Sequence, residues 1–197
     1  NTCHAVDVGG RMLGADARQV FEEGIYVPIM KLFRNGHPNE DLFRLIKQNV
    51  RTPELVEGDL RAQVGGNEVG GAKLLEFMDE YGFASLAPLS EAILSTSERA
   101  MRAAIAELPQ GTFQHEIRMD GFDEPITVRI MVTVTGSDVF VDYAGTSPQC
   151  ERGINVPLAY CVAYTTYPLK CAISPHVPNN EGSFRPVHIT APAGCIL

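Results

Sequence analysis

The sequence predicts an α+β fold in which a helical N-terminal half is followed by an antiparallel meander with one buried helix. Apolar residues recur at helical spacing in the first half, whereas residues 112–143 mostly alternate with a period of two and are rich in β-branched side chains. Helical and strand-forming segments are therefore separated along the chain. We expect a helical part, residues 1–109, and a sheet-containing part, residues 110–197.

Composition and charge narrow the class of protein. Of the 197 residues, 45% are hydrophobic and 20% are charged, which is typical of a folded domain with a core. The net charge is -8, and no basic run is present, which argues against nucleic acid and anionic membranes as the main partners. The best apolar stretch, Val156 to Tyr164, is far shorter than the roughly 20 residues of a membrane span.

The cysteines favour reduced thiols over disulfides. There are five of them, widely spaced and with no C-x-x-C pair. Cys161 and Cys171 stand in apolar sequence and are expected in the core.

The first half of the chain carries clear helix signals. Residues 15–33 predict a loop with a short helix, and a turn cluster follows at residues 35–39. Asn39 is expected to cap a helix over Glu40 to Val50, and Thr52 and Pro53 to begin another that stops at Gly82. Four glycines lie inside this second helix, so either it breaks there or something packs against bare backbone.

The remaining elements follow in order. We expect a helix over Leu86–Leu108, strands over Thr112–Met119, Ile126–Thr135 and Asp138–Tyr143 with a hairpin turn at Gly136 and Ser137, a buried helix over Gly153–Ala172, and a last strand over Arg185–Thr190.

His4 and Asp7 are the candidate metal ligands. An imidazole and a carboxylate three residues apart can converge on one divalent cation such as Zn, Mn or Fe. Two ligands do not complete a site, and a structural role for both residues stays open. Cys3 beside them is open to three interpretations: a nucleophile, a third ligand or a packing residue.

Four further polar residues are candidates for contact with a substrate. Asp59 and Gln63 are four residues apart on a predicted helix, so they are neighbours that could hydrogen-bond a polar substrate or a metal-bound water; a solvated face is the alternative. Asn49 and Arg51 end the preceding helix, where Arg51 could complement the helix dipole or bind an anion. No phosphate loop, dinucleotide fingerprint or nucleophile elbow is present, so a system that uses ATP would bind it elsewhere.

An ordered series of short motifs spans the chain. It consists of H-x-x-D-x-G-G at 4–10, E-E-G at 22–24, N-x-D-L at 39–42, N-V-R-x-P at 49–53, G-D-L-x-A-Q at 58–63, Y-G at 81–82, L-P-x-G at 108–111, V-D-Y-x-G-T-S-P-Q at 141–149, G-x-N at 153–155 and P-x-N-x-G-x-F-R-P at 178–186. This series resembles the hydantoinase B / 5-oxoprolinase family, which includes the alpha subunits of acetone carboxylase and related ketone carboxylases. The resemblance covers nearly all of the chain.

The resemblance implies a cytoplasmic enzyme subunit in a hetero-oligomer. Its partner would be a hydantoinase A-like subunit that binds ATP with Mg²⁺ and phosphorylates the substrate oxygen. In the ketone carboxylase branch the B-type subunit carries a divalent metal, and His4 and Asp7 match its ligands, with further ligands expected upstream. Many members have a second His where this chain has Ala5, which leaves the number of metals and the branch of the family open. Family chains are much longer, and this chain starts within what looks like a motif and ends on apolar residues, so we expect an interior fragment of a larger subunit, with one chain of a processed polypeptide as the alternative.

Three functions remain open at this point. The first is an ATP-dependent amidohydrolase that opens a cyclic amide of hydantoin or 5-oxoproline type. Asp59 and Gln63 would then orient the substrate, with Asn49 and Arg51 binding it. The second is an ATP-dependent carboxylase for ketones such as acetone or acetophenone. The third is a non-catalytic assembly module.

Overall fold

The computed structural model describes residues 14–22 and 24–197. These residues divide into two compact units. The first contains the described residues up to Ala84 together with Glu151–Gly153, and the second contains Ser85–Cys150 and Ile154–Leu197.

The first unit begins with irregular chain and a small hairpin. A single 3-10 turn, Val20–Glu22, is the short helix expected in this region. Strands β1 (Phe33–Arg34) and β2 (His37–Pro38) pair across Asn35 and Gly36. Both turn residues have positive φ, 49° and 78°, which is the geometry that Asn-Gly favours in a two-residue hairpin. The predicted turn is confirmed, but the strands are too short to give an alternating pattern.

Helix α1 (Glu40–Asn49) begins where the sequence predicts. The Asn39 side chain accepts a hydrogen bond from the Leu42 N–H at 3.3 Å, so Asn39 is the N-cap. Leu42 and Phe43 are buried, and the ring of Phe33 meets that of Phe43 edge-on at 5.9 Å. These contacts form the small apolar centre of the first unit.

Helix α2 (Pro53–Glu80) runs without a break through its glycines. A Cβ built on Gly65, Gly70 or Gly71 would meet nothing within 4 Å among the described residues. The expectation that the helix breaks at its glycines is therefore wrong, whereas packing of a partner or of a segment outside the described residues against this backbone stays a prediction. Gly82, with φ 68°, ends the helix as predicted, and the Phe83 N–H bonds the Met78 carbonyl at 2.8 Å.

The second unit combines three helices with one mixed sheet. Its elements in chain order are α3 (Ala87–Ala106), β3 (Gly111–Met119), β4 (Ile126–Thr135), β5 (Asp138–Asp142), α4 (Leu158–Ile173), α5 (Glu181–Phe184) and β6 (Val187–Thr190). The sheet order is β3-β4-β5-β6, with the first three strands antiparallel, so the expected meander is confirmed. Strand β6 pairs parallel to β5, because the chain crosses over through α4 and α5 between them.

The core of this unit lies between one face of the sheet and helices α3 and α4. Met101 and Ile105 of α3 pack with Val139 and Val141 of β5 and with Cys161 of α4. All five side chains are buried, so the expected place of Cys161 in the core is confirmed.

Helix α4 has one buried side rather than burial all round. Tyr160, Tyr164 and Tyr167 are more than half exposed, and the rings of Tyr160 and Tyr164 stack at 4.2 Å. Cys171 is also exposed, contrary to the expectation from its apolar neighbours. The four described cysteines are free thiols. Within the described residues, no helix combines the length and apolarity that a membrane crossing requires.

Candidate functional site

The four predicted substrate residues lie in the first unit, where α1 passes into α2. Asn49 is the last residue of α1, and its side-chain amide donates to the Leu45 carbonyl at 2.7 Å. Arg51 is exposed in the connection between the two helices. Asp59 and Gln63 stand in the first part of α2, with Asp59 exposed and Gln63 half-buried.

An ion-pair cluster fixes α2 against α1 at this corner. The Glu57 carboxylate accepts from Lys47 of α1 and from Arg61, each at 2.7 Å. Hydrogen bonds from these two cations hold the pKa of Glu57 below its ordinary value, and the Glu57 hydrogen bond raises the pKa of Lys47. The Arg61 guanidinium also lies over the Phe43 ring, 4.7 Å from its centroid.

Asp59 and Gln63 form a stripe on the other side of α2. Asp59 follows Glu57 by two residues, which is a rotation of about 200° around the helix axis. Asp59 therefore points away from the side on which Glu57 meets α1. Gln63, one turn further, lies on the same stripe as Asp59. The expected adjacency of the two side chains on one helix is therefore present. A carboxylate and an amide side by side can orient a polar ligand by accepting and donating hydrogen bonds.

The predicted metal ligands His4 and Asp7 lie outside the described residues. Among the residues that are described, no group of three or more His, Cys, Asp or Glu side chains is arranged to hold a metal ion.

The polar face of the sheet in the second unit carries a cavity of about 580 Å³. Its lining includes Gln114, Glu116, Arg129 and Asp142 from three adjacent strands. The Arg129 guanidinium donates to Glu116 at 2.7 Å, and Arg118 donates to the same carboxylate at 2.9 Å. These hydrogen bonds lower the pKa of Glu116. The charges of Glu116 and Arg129 within the cavity are thus paired with one another.

The motif at 141–149 has a structural explanation in this region. The Thr146 hydroxyl accepts from the Arg129 N–H and donates to the Arg129 carbonyl, both at 3.1 Å, which ties the loop after β5 to β4. Gly145, with φ 85°, lies directly under Arg129, since a Cβ added there would be 3.0 Å from Arg129 Cδ. The motif therefore positions Arg129 on the sheet face.

Tyr143 of the same motif connects the sheet to α4. Its hydroxyl lies 2.8 Å from the Thr165 hydroxyl, which itself donates to the Cys161 carbonyl at 2.7 Å. Tyr143 is therefore the donor in this pair. Burial raises the pKa of the Tyr143 phenol.

The motif at 178–186 forms the helical turn α5. Asn180 caps it by accepting from the Ser183 N–H at 3.2 Å, and its amide donates to the Ser97 hydroxyl of α3 at 2.8 Å. A Cβ on Gly182 would overlap the backbone of Leu94 in α3. Both residues therefore serve the close packing of α5 on α3.

A charged cluster at the start of β5 was not anticipated from the sequence. Asp138 accepts from Arg102 at 2.8 Å and lies 2.9 Å from His188 Nε2, and the His188 ring stacks on Phe140 at 4.6 Å. Burial raises the pKa of Asp138, but the His188 and Arg102 hydrogen bonds outweigh it and leave the pKa below its ordinary value. His188 and Asp138 are 50 residues apart, so no local pattern could have linked them.

Comparison with known proteins decides the family. The model of the family described as hydantoinase B/oxoprolinase matches residues 1–197, which is the whole chain. The chain belongs to the hydantoinase B/oxoprolinase family. The family resemblance of the ordered motifs is thereby confirmed.

Individual members of the family share a moderate fraction of residues with the chain. A protein of Pseudomonas sp. (strain NS671), provisionally named as the B-type subunit of a D-/L-hydantoinase, is 33% identical over 99% of this chain and 36% of its own length. The crystal structure of the ATP-dependent caprolactamase from Pseudomonas jessenii is 27% identical, with a TM-score of 0.87 over 96% of this chain and 34% of that one. The chain therefore spans about a third of the length of these relatives.

The fold also matches a more distant structure. The nucleotide-free structure of acetone carboxylase has a TM-score of 0.80 over 99% of this chain and 28% of that one, at 16% identity. At that identity the likeness establishes a shared fold. The α+β prediction is confirmed by these matches.

Proposed function

We propose that the chain is part of the B-type subunit of an ATP-dependent amidohydrolase that opens a cyclic amide of hydantoin or 5-oxoproline type. The family match over the whole chain is the observation that carries this proposal. The named relatives above 25% identity support it, since one is called a hydantoinase subunit and the other an ATP-dependent caprolactamase.

ATP would be bound by a hydantoinase A-like partner subunit. The name of the Pseudomonas sp. relative, which designates one subunit of a hydantoinase, supports the existence of a partner. No phosphate-binding loop occurs in the 197 residues, which agrees with nucleotide binding elsewhere. Phosphorylation of the amide oxygen by the partner would activate the amide carbon toward attack by water. The C–N bond would then break with a proton passing to the nitrogen, and a second water would release phosphate from the acyl phosphate to leave the ring-opened acid.

In this scheme the chain supplies the groups that hold and orient the ring. Asp59 and Gln63 would hydrogen-bond the amide, while Asn49 and the cation of Arg51 would bind polar or anionic parts of the substrate. His4 and Asp7 offer an imidazole and a carboxylate, a donor set that suits Zn, Mn or Fe. A divalent metal held by these two residues would polarise a carbonyl oxygen of the substrate.

The other two functions are less well supported. The likeness to acetone carboxylase, at 16% identity, concerns the fold and does not favour ketone carboxylation over amide hydrolysis. The following experiment distinguishes a non-catalytic assembly module from both catalytic functions.

The test uses the full-length subunit that contains this chain, co-purified with its hydantoinase A-like partner. We expect cyclic amides to stimulate ADP release and to yield a ring-opened product. Asp7→Ala should lose both the bound metal and the activity while the complex still assembles. Full activity of both His4→Ala and Asp7→Ala would contradict the metal role, and an assembled complex without any turnover would favour the assembly module.

A further inference from the structure

A second cavity in the sheet-containing unit has a composition unlike that of the sheet face. It measures about 490 Å³ and lies between α4 and the segment that leads into α5. Apolar groups make up most of its walls, with Thr166, Tyr167, Cys171 and Asn179 among the polar ones. Of the described residues that line it, Lys170 alone carries a formal charge at neutral pH, and none is acidic.

Lys170 is an unusual lysine because it is buried. Its side chain lies in the last turn of α4, and the residue is only 5% exposed. Lysine is almost never this deeply buried unless it is paired. Within the described part of the chain, the ammonium donates to one acceptor, the Ser174 carbonyl, and forms no ion pair.

Capping of α4 explains only part of this arrangement. A lysine near a helix C-terminus is favoured by the dipole and by the free carbonyls there, and Ser174 is the C-cap residue. An ammonium has three donors, however, and the Ser174 carbonyl satisfies one of them. A cap would also be served by an exposed lysine, whereas this one lines a cavity with apolar walls. Among the described residues around this cavity, no negative charge balances the Lys170 ammonium.

We propose that this cavity binds a small organic monoanion, a carboxylate on an apolar body, with the carboxylate on Lys170 Nζ. One cation balances one negative charge, and an apolar body fits the walls formed by residues such as Val162 and Phe184. A phosphate, with a charge of about -1.5 to -2 at neutral pH, would be only partly neutralised there. The side-chain amide of Asn179, also in the lining, is a further donor for the carboxylate.

The evidence for this site does not rest on the proposed amide hydrolysis. Its residues belong to the second unit, whereas Asn49, Arg51, Asp59 and Gln63 belong to the first. Binding is therefore measured without any turnover, and its outcome does not depend on whether the full-length enzyme opens cyclic amides.

The experiment measures binding of two probes, hexanoate and 3-phenylpropanoate, to the full-length protein by calorimetry and ligand-observed NMR. Their neutral amides serve as matched controls. We expect at least one carboxylate to bind and its amide to bind about tenfold or more weakly, because a charged hydrogen bond contributes strongly to affinity. Lys170→Met should weaken carboxylate binding by a similar factor. Lys73→Met, which removes the same charge from an exposed site on α2, should leave it unchanged.

A second variant separates binding from folding. Ala163→Trp fills the cavity from its lining while Lys170 stays in place, and it should abolish binding even if Lys170→Met is unstable. Exposed Cys171 lines the same cavity, so a bound probe should slow its alkylation by iodoacetamide. Failure of both carboxylates to bind would overturn the proposal. Binding that survives Ala163→Trp, or that is equal for carboxylate and amide, would overturn it as well.

Discussion

Asp59 is the residue whose proposed role is most open to a direct test. Asp59→Asn keeps the shape of the side chain and removes its charge, so a carboxylate that orients the substrate should cost the full-length enzyme about tenfold or more in kcat/KM. Glu68→Gln is the matched control, since Glu68 is also exposed on α2 and lies about 180° around the helix from Asp59. Equal activity of the two variants would mean that Asp59 belongs to a solvated face.

Gly182 allows a sharp prediction about packing. A Cβ at this position would overlap the carbonyl oxygen of Leu94 and stand 2.6 Å from its carbonyl carbon, and this carbonyl is backbone that cannot yield easily. Gly182→Ala should therefore lower the free energy of unfolding by about 1–3 kcal/mol, as overpacking does elsewhere. Chemical denaturation followed by circular dichroism measures this change. An unaltered midpoint would show that α5 does not pack this closely on α3.

Single residues also show what sequence reasoning can and cannot predict. The cap at Asn39 and the stop at Gly82 were predictable, because each depends on chemistry within a few neighbouring residues. The pairing of Asp138 with His188 and the burial of Lys170 depend on how distant segments meet. The sequence supplied candidates such as Asp59 by spacing alone, and the ordered motifs identified the family.

At the scale of elements, α2 offers a test of its unexplained glycines. Because nothing lies within 4 Å of a Cβ added to Gly65 or Gly70, alanine should fit at both positions. Each of Gly65→Ala and Gly70→Ala should raise the free energy of unfolding by about 0.5–1 kcal/mol, since glycine is a poor helix former. A loss of stability, or a loss of partner binding, in the full-length protein would instead indicate that another segment or subunit packs against this backbone.

Helices and strands were predicted best where their periodic pattern of apolar residues extended over many residues. Helix α3 and strand β4 match their expected spans closely, because each runs through ten or more residues of consistent pattern. Strands β1 and β2 contain two residues each and carry no period. Helix α4 was expected to be buried on most faces, yet Tyr160 and Tyr164 face outward, because aromatic content alone does not identify the buried side.

At the scale of the whole molecule, ion pairs make the stability dependent on pH. Hydrogen bonds from Arg102 and Arg185 hold the pKa of Glu98 below its ordinary 4.5, and the pKa of Asp138 lies below its ordinary 3.8. A carboxylate whose pKa is lower in the folded than in the unfolded state stabilises the folded protein in its charged form. This stabilisation is fully present above the unfolded-state pKa and is lost as the pH falls through the folded-state pKa. The melting temperature should therefore fall with acidification below about pH 4.5.

The variant Glu98→Gln measures how much Glu98 contributes to the pH dependence of the melting temperature. Glu98→Gln should melt below the wild type at pH 7, and the difference between the two proteins should shrink as the pH is lowered through 4.5. The exposed Glu68→Gln serves as the control and should follow the wild-type curve. A difference that stays constant with pH would show that Glu98 acts through packing rather than through its charge.

We propose that this member of the hydantoinase B/oxoprolinase family takes part in ATP-dependent opening of a cyclic amide. The most direct measurement is ADP release by the complete complex with hydantoin, 5-oxoproline or acetone, each with and without added bicarbonate. We predict stimulation by a cyclic amide, no requirement for bicarbonate, and a ring-opened acid as product. ADP release that needs both acetone and bicarbonate, with a carboxylated product, would contradict the claim and identify a ketone carboxylase.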